Sequence, residues 1–472
     1  MARAADHRPL LDRLGGLCAA RALDPEAPLM GLPRQTLVLG AGRTGQAVAR
    51  AFAARGVGVR LADIRSREAL ALDGTPRGVE LRLGEDGEHL LAGVDLVVPS
   101  PGIPSGARLL AAARARGIPV RSEIEVACAL LDCPILAITG TNGKSTTTTL
   151  VGLALERAGR RTFTGGNLGT PLITALERAP EIAVVEVSSF QLEWVDRFRP
   201  KVACLLNLSP DHLDRHGSFP EYRDAKSRLF AAQTPDDFAV LNRDDRETWQ
   251  LASGLAARVV SFGLEPVACG AFVGEGGVVL RLPDRPEEHY PLARTRLVGR
   301  HNVENILAAV TVARLGGAPR EAVQAAIDAI EPLPHRLAFV RERGGVRWFD
   351  DSKATNVGAA AKSLESFAGP VILLAGGVGK GGGYELLARA TAGKVRLALL
   401  FGRARDEMAT ALTAGGVPVA RVKTLEAAVA GAAAAATPGD TVLLAPGCAS
   451  FDMFSDYAAR GRAFRAAVEA LP

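Results

Sequence analysis

Ile138-Thr-Gly-Thr-Asn-Gly-Lys-Ser-Thr146 is the stretch whose reading decides the fold of this chain. The apolar run Ile135–Ile138 enters a glycine loop that ends at Lys144 and two hydroxyls, Ser145 and Thr146, where a helical pattern over Thr146–Arg157 begins. A strand, a glycine loop and a helix start place backbone N–H groups around phosphate oxygens, with Lys144 reaching the β and γ oxygens and a hydroxyl on Mg²⁺. The loop is a variant, because Ile138 stands at the usual first glycine position and Gly140 lies inside the loop instead. Packing gives no reason for Gly-Lys-Ser-Thr in this context, so a nucleotide site is expected.

Working outward, Glu186 ends the apolar run Ala183–Val187, and Asp211-His-Leu-Asp-Arg-His216 follows the next run, Val202–Leu206. An acid at the tip of a strand beside the phosphate-loop strand is placed to bind the nucleotide's metal, and His212 can reach the same ion. No thiolates accompany them, so the set suits a hard cation and not zinc. Earlier in the chain, Gly40-Ala-Gly-Arg-Thr-Gly45 follows the run Thr36–Leu39, opens a helical pattern over Gln46–Arg55, and has Asp63 about twenty residues on. That is a dinucleotide fingerprint, in which glycines admit a pyrophosphate and the acid takes a ribose hydroxyl. Alone it suggests a nicotinamide enzyme; such an enzyme would leave Gly140–Thr146 idle.

Further apolar runs at Val94–Val98, Val371–Leu374, Leu397–Phe401 and Thr441–Leu444 alternate with helical segments, whereas Phe272–Leu292 reads as short antiparallel strands. The class is α/β with mostly parallel sheets. At 472 residues the chain is long enough for about three domains. A third glycine-rich opening lies at Gly376–Gly383, and seams fall near Val120–Ser122 and Glu331–Pro334. The expected division is 1–121, 122–333 and 334–472.

Fifty-six Lys+Arg against 51 Asp+Glu leave a formal charge of +5, spread along the chain, and aromatics are only 5%. Nucleic-acid binding, which needs a basic face with interleaved aromatics, is not expected. Six cysteines form neither a CxxC pair nor a disulfide framework and read as buried free thiols. The N-terminus is a poor signal peptide, and no apolar stretch approaches the ~20 residues of a membrane span, so a cytoplasmic protein is expected. Only eight of the basic residues are lysines, and Lys144, Lys226, Lys353 and Lys380 sit inside candidate motifs. Arg cannot lose its proton near neutral pH and Lys can, which points to lysine-specific chemistry at those four. Lys362, Lys394 and Lys423 read as chance surface residues.

Taken in order, Gly140–Thr146, Glu186-Val-Ser-Ser-Phe-Gln-Leu-Glu193, Asp211-His-Leu-Asp214, Gly299-Arg-His-Asn302 with Asn305, Pro334-His-Arg336 and Asp351-Ser-Lys-Ala-Thr-Asn356 resemble the Mur ligase family. The last of these, with Cys448-Ala-Ser450, looks like its D-glutamate-adding branch. The resemblance runs from about Thr36 to the C-terminus. It implies an N-terminal Rossmann-like domain for the UDP end of a substrate, a central phosphate-loop ATPase, and a C-terminal Rossmann-like domain for the amino acid. It implies a monomer that uses ATP and Mg²⁺, with two metal sites, to join D-glutamate to UDP-N-acetylmuramoyl-L-alanine through an acyl phosphate. A sibling ligase adding another amino acid, or a folylpolyglutamate-type ligase, is the alternative.

Carried over residue by residue, Gly140, Thr141, Asn142, Gly143, Lys144, Ser145, Thr146, Asn302, Arg336 and Asp351 would bind ATP. Gly42, Arg43, Thr44, Gly45, Asp63, Arg65, Ser100, Gly102 and Asn167 would bind the UDP substrate. Lys353, Thr355, Lys380, Ser450, Phe451 and Tyr457 would hold D-glutamate, whose two carboxylates suit cations and hydroxyls. Lys144, Glu186, His212 and Lys226 would be catalytic, with Ser145, Glu186, His212 and a carbamylated Lys226 on the metal. Val378 departs from the family pattern, in which an acid is often found there.

Overall fold

Runs of Val, Ile, Leu and Ala without polar interruption suit strands covered on both faces, and such strands pair in parallel when helices supply the crossovers. The computed structural model describes residues 32–70, 72, 78–283, 285–297, 299–381 and 383–471. It arranges these runs in three sheets. Cys18 and the rest of the first 31 residues, and Gly382 in the third glycine stretch, lie outside the described residues.

The first sheet, ordered β3-β2-β1-β4, is parallel throughout: β1 is Gln35–Leu39, β2 Gly58–Asp63, β3 Val79–Leu83 and β4 Leu96–Pro99. The second follows with β5 Ile135–Thr139, β6 Thr162–Gly166, β7 Ile182–Glu186, β8 Val202–Leu205, β9 Phe238–Asn242, β10 Arg258–Gly263, β11 Gly270–Gly274, β12 Gly277–Arg281 and β13 Glu288–Pro291. Its order is β13-β12-β11-β10-β9-β8-β5-β7-β6, parallel from β6 to β11 and antiparallel beyond. The third comprises β14 Ala338–Arg343, β15 Val346–Asp350, β16 Val371–Gly376, β17 Val395–Phe401, β18 Val419–Arg421 and β19 Thr441–Leu444, ordered β14-β15-β19-β16-β17-β18 with only β14 antiparallel.

Strand β5 is buried along its length between β7 and β8. The chain leaves β5 to build β6 and β7 on one side, then returns to build β8 on the other. The carboxyl ends of these three strands therefore form the crevice at which open parallel sheets take ligands. Leu150, Val151, Ala154 and Leu155 of the helix Lys144–Arg157 pack with Ile306, Leu307 and Val310 of the helix Arg300–Leu315, anchoring the loop from behind.

The expected runs lie within one or two residues of observed strands, and the expected antiparallel segment is β11 to β13. Of the strands not anticipated, β3, β6, β14 and β18 sit at edges and β2, β9, β10 and β15 lie inside their sheets. β14, Ala-Phe-Val-Arg-Glu-Arg, and the three-residue β18 lack the continuous apolar run of a covered strand.

Gly45 shows how tightly the first glycine loop is wound. A β-carbon there would lie 1.9 Å from the Gly40 carbonyl oxygen, a backbone atom with nowhere to go. Gly45→Ala is expected to destabilise the N-terminal sheet unit by about 1–3 kcal/mol, read as a lower urea midpoint for its transition.

Candidate active site

The loop after β5 turns twice on left-handed glycine backbone. Gly143, at φ +85°, caps the helix Lys144–Arg157, and a β-carbon there would come 2.1 Å from Asn305 Oδ1. Lys144 Nζ folds back to donate to the Gly140 and Thr141 carbonyls, each at 2.9 Å. Burial lowers the Lys144 pKa, against the pull of Glu186 and Asp211.

This loop is one wall of a cleft with about 1200 Å³ of non-protein space between the second and third sheets. The cleft gathers Thr141 to Thr146, Asn167, Glu186, His212, Asn302, Arg336, Asp351, Lys353, Thr355 and Lys380, residues the sequence spreads over 240 positions. Glu186 ends β7, and its Oε1 accepts from Asn167 Nδ2 at 2.6 Å. Lys362, read from sequence as a chance surface residue, lines the cleft and pairs with Glu304 at 3.3 Å. Helical spacing from Asn356 was the signal that could have found it.

The two walls are clasped by charge. Asp211, after β8, accepts from Lys380 Nζ at 3.2 Å and from Asn356 Nδ2 at 2.9 Å. Burial, the largest single effect, would raise the Asp211 pKa, but Lys380 together with His212 and Lys144 outweighs it and the carboxylate is held below its usual range. Arg336 Nη2 donates to Ser145 Oγ at 2.9 Å. The backbone is left-handed at His335 and Leu337, on both sides of Arg336, and also at His212. Such conformations are strained for residues with a β-carbon and persist where the surroundings over-determine them. Burial, then Lys380, pushes His212 down to about 4, so its ring is neutral at pH 7. Phe190 lies edge-on to that ring, with centroids 4.8 Å apart.

Lys226 lies outside this cleft's lining and beneath the loop. It is 2% exposed, and its Nζ donates to the Gly140 carbonyl at 2.9 Å and to Thr139 Oγ1 at 3.2 Å, with the Tyr222 ring 4.9 Å away. Lys226 is thus a buried lysine and not a surface one. Burial, then Lys144, drives its pKa well below the ordinary value.

In the third sheet unit, burial raises Asp351 to about 6 and lowers Lys353 to about 8. The Lys353 ammonium sits 3.8 Å from the centre of the Tyr457 ring. Ser450 is buried, Phe451 is 74% exposed, and neither lines the cleft. Val378 exchanges both backbone hydrogen bonds with Ala449, at 2.8 and 2.9 Å, so the glycine loop that ends at Lys380 is stitched to Cys448–Ser450 by main chain.

Arg460 was missed from sequence, since nothing distinguishes one arginine among 48. It is fully buried. It donates to Ser352 Oγ and O at 3.0 and 2.9 Å, to the Cys448 carbonyl at 3.1 Å and to the Gly376 carbonyl at 3.4 Å. One guanidinium thus spans the three loops that carry Lys353, Lys380 and Ser450.

A second cavity lies between the first and second sheets and includes Arg43, Thr44, Asn167 and Glu123. Asn167 lines both spaces, which makes them neighbours. Gly42, Gly45, Ser100 and Gly102 are outside its lining; Ser100 Oγ donates to the Gly40 carbonyl at 2.9 Å and steadies the loop. Both oxygens of Asp63 are already engaged, Oδ2 by the Ala41 amide and Arg65 Nη2 at 2.8 Å, Oδ1 by the Arg65 amide and Nε at 2.9 Å.

The donors around the phosphate loop fit a hard divalent cation. Glu186 Oε2 is buried and has no hydrogen-bond partner among the described residues, the Ser145 hydroxyl is close by on the loop, and His212 is neutral. No cluster of three or more His, Cys, Asp or Glu stands ready as a cage among the described residues. That pattern suits an ion shared with phosphate oxygens, as Mg²⁺ is commonly bound. Among the described residues Cys204, Cys269 and Cys448 are free thiols, and no helix is long and apolar enough to cross a membrane.

Three family models match the chain: "Mur ligase MurD-like, N-terminal domain" over residues 34–122, "Mur ligase middle domain" over 138–313, and "Mur ligase, glutamate ligase domain" over 335–448. A protein of Syntrophus aciditrophicus named UDP-N-acetylmuramoylalanine–D-glutamate ligase is 43% identical over 444 residues, covering 93% of this chain and 98% of the relative. One of the same name from Geobacter metallireducens is 46% identical over 447 residues, with the same coverage. Among solved structures, a pseudomurein peptide ligase type C from Methanothermus fervidus matches with a TM-score of 0.60 at 20% identity, covering 92% of this chain and 99% of that one. UDP-N-acetylmuramate–alanine ligase from Thermotoga maritima matches with a TM-score of 0.58 at 17% identity, covering 93% and 99%. These two likenesses concern the fold.

The Asp63–Arg65 contact makes a pH prediction. Hydrogen bonds from Arg65 hold Asp63 at about 2, below the ordinary 3.8. The unfolded chain therefore takes up this proton first on acidification, so the contribution is whole above pH 3.8 and is lost as pH falls through 2. Discounted for the solvent around Arg65, it amounts to about 1–2 kcal/mol. Asp63→Asn is expected to remove that increment from urea unfolding compared at pH 5 and pH 2.

Proposed function

The chain belongs to the Mur ligase family, and on that premise we propose that it joins D-glutamate to UDP-N-acetylmuramoyl-L-alanine at the expense of ATP, yielding ADP and phosphate. The observation that carries this reading is the single cleft in which the phosphate loop, Glu186, Arg336, Lys353 and Lys380 meet. The names of the relatives at 43% and 46% identity support the choice of amino acid. The product is a precursor for peptidoglycan, and the enzyme acts as a cytoplasmic monomer.

In this reading residues 1–121 hold the UDP end, 122–333 bind ATP and 334–472 bind D-glutamate. The substrate's terminal carboxylate attacks the γ-phosphorus; the bond to the bridging oxygen breaks, ADP leaves, and an acyl phosphate forms. The D-glutamate amine, in its neutral form, attacks the acyl carbon; phosphate departs with the electron pair of the broken C–O bond, and the proton the nitrogen sheds in becoming an amide passes to that phosphate. Lys144 and the loop amides hold the transferring charge in a cavity shielded from bulk water. Arg336 and Asp351 orient the nucleotide, with Asn302. Arg43, Thr44 and Asn167 orient the UDP substrate, and Lys353, Thr355 and Lys380 orient D-glutamate with Ser450, Phe451 and Tyr457. Closure across Asp211, Lys380 and Asn356 aligns the amine and keeps water from the acyl phosphate.

Ser145, Glu186, His212 and a carbamylated Lys226 would hold Mg²⁺ at two sites, and the ion would neutralise charge developing on the phosphates. The Lys226 environment supports the modification, because burial lowers the amine's pKa and so favours its uncharged form, and only the uncharged amine adds to CO₂.

Phosphate release from ATP with UDP-N-acetylmuramoyl-L-alanine is expected to require D-glutamate strictly and to accompany a new amide; release driven by another amino acid would move the protein to a sibling ligase. Lys226→Arg, which cannot form a carbamate, is expected to lower kcat by roughly 100-fold or more, and depleting CO₂ should slow the wild type but not the variant.

A further inference from the structure

Two buried glutamates on one helix, Glu123–Leu130, reach across to the second sheet unit. Glu125 uses both oxygens, taking the Arg197 amide on Oε1 at 2.8 Å and the Asp196 amide on Oε2 at 3.1 Å. Glu123 takes the Ile173 amide on Oε1 at 2.6 Å, capping the short helix Leu172–Glu177 that comes after the Gly165–Gly169 loop. Its Oε2 is buried and has no hydrogen-bond partner among the described residues. A structural cap explains Glu125 completely and Glu123 only by half. A buried acceptor left unmade is costly, so the unused oxygen needs a reason.

The reason lies in what Glu123 borders. It is the one acid among the residues lining the cavity between the first and second sheets, which also include Arg43, Thr44, Asn167 and Gln191. We propose that Glu123 is a substrate-binding residue whose free oxygen accepts a hydrogen bond from an N–H or O–H donor on the muramoyl-alanyl segment of the UDP substrate. This rests on the proposed function. There the uridine end lies by Arg43 and Thr44 and the reacting carboxylate lies in the ATP cleft, so the segment between them passes the cavity. That segment offers three donor classes, the alanyl amide N–H, the acetamido N–H of the sugar and the free sugar hydroxyls. A site built to receive a donor discriminates strongly against analogues that lack it, because its own buried group is then left unpaired. Burial raises the Glu123 carboxyl to about 7, against the Ile173 and Leu172 amides, which favour its charge.

Glu123→Gln tests this, since the amide oxygen can still cap Ile173 while the other terminus changes from acceptor to donor. The KM for the UDP substrate is expected to rise roughly 10- to 100-fold, with kcat at saturation and the KM for ATP within about twofold of wild type. Glu125→Gln, as buried but outside the cavity, should lower the melting temperature and leave every KM unchanged. Should Glu123→Gln fail to fold, wild-type binding is compared for three analogues, one methylated at the alanyl amide nitrogen, one methylated at the acetamido nitrogen and one lacking the free sugar hydroxyls. Loss of affinity for one of them identifies the donor. An unchanged KM in Glu123→Gln, or full affinity for all three analogues, overturns the proposal. A wild type inert toward the UDP substrate overturns the functional reading, and this inference with it; an active wild type with an indifferent variant overturns this inference alone.

Discussion

Asp211 is a buried carboxylate held between Lys380 and Asn356, and the working geometry of the molecule depends on that contact. Asp211 lies beyond the end of β8, while both partners belong to the third sheet unit. Burial opposes its charge, so the carboxylate is stable only while the ammonium and the amide stay in place. Removing one partner of such a pair leaves an uncompensated buried ion, a cost of about 3–5 kcal/mol. The clasp therefore ties together the two walls of the cleft, and Arg336 on Ser145 and Lys362 on Glu304 reinforce it. Its neighbour His212 inherits the constraint, with left-handed backbone and a ring kept neutral by burial and by the same lysine.

Cations crowd the cleft and the niche beneath its phosphate loop. Lys144, Lys226 and Lys353 all have lowered pKa values, with burial the first cause and other nearby cations contributing in each case. A polyanion entering such a site relieves the repulsion between these cations, so the arrangement favours a triphosphate. Lys144 meanwhile rests on the carbonyls of its own loop, which are weaker partners than phosphate oxygens. Lys226 is the exception. Its closest partners are Gly140 O and Thr139 Oγ1, in a buried niche where a charged ammonium is poorly supported and a neutral amine is not.

Arg460 and Glu123 show two ways in which buried charge organises a site from behind. The guanidinium has no carboxylate partner and spreads its donors over a hydroxyl and three carbonyls from separate loops, fixing their spacing through hydrogen bonds alone. Glu123 spends one oxygen on a helix terminus and keeps the other, so structure and recognition share one carboxyl group.

The phosphate loop, the acid ending β7, the Asp211-His212 pair after β8 and the three-sheet α/β architecture were all legible in the chain. Each obeys local rules: an apolar run makes a strand, glycines make a tight turn, and residues just past a parallel strand reach the crevice at its carboxyl end. Edge strands such as β14 and β18 escaped because exposure removes the continuous apolar run. Lys362, Arg460 and Glu123 escaped for a different reason. Their roles depend on partners far along the chain, such as Glu304, Ser352 and Ile173, and no local spacing encodes which distant backbone group a buried charge will meet. Sequence thus determined which chemical groups arrive at the strand ends. Only the packing of three sheets decided which of them face each other, because burial, and with it the strength of every charge contact, exists only once those sheets have closed.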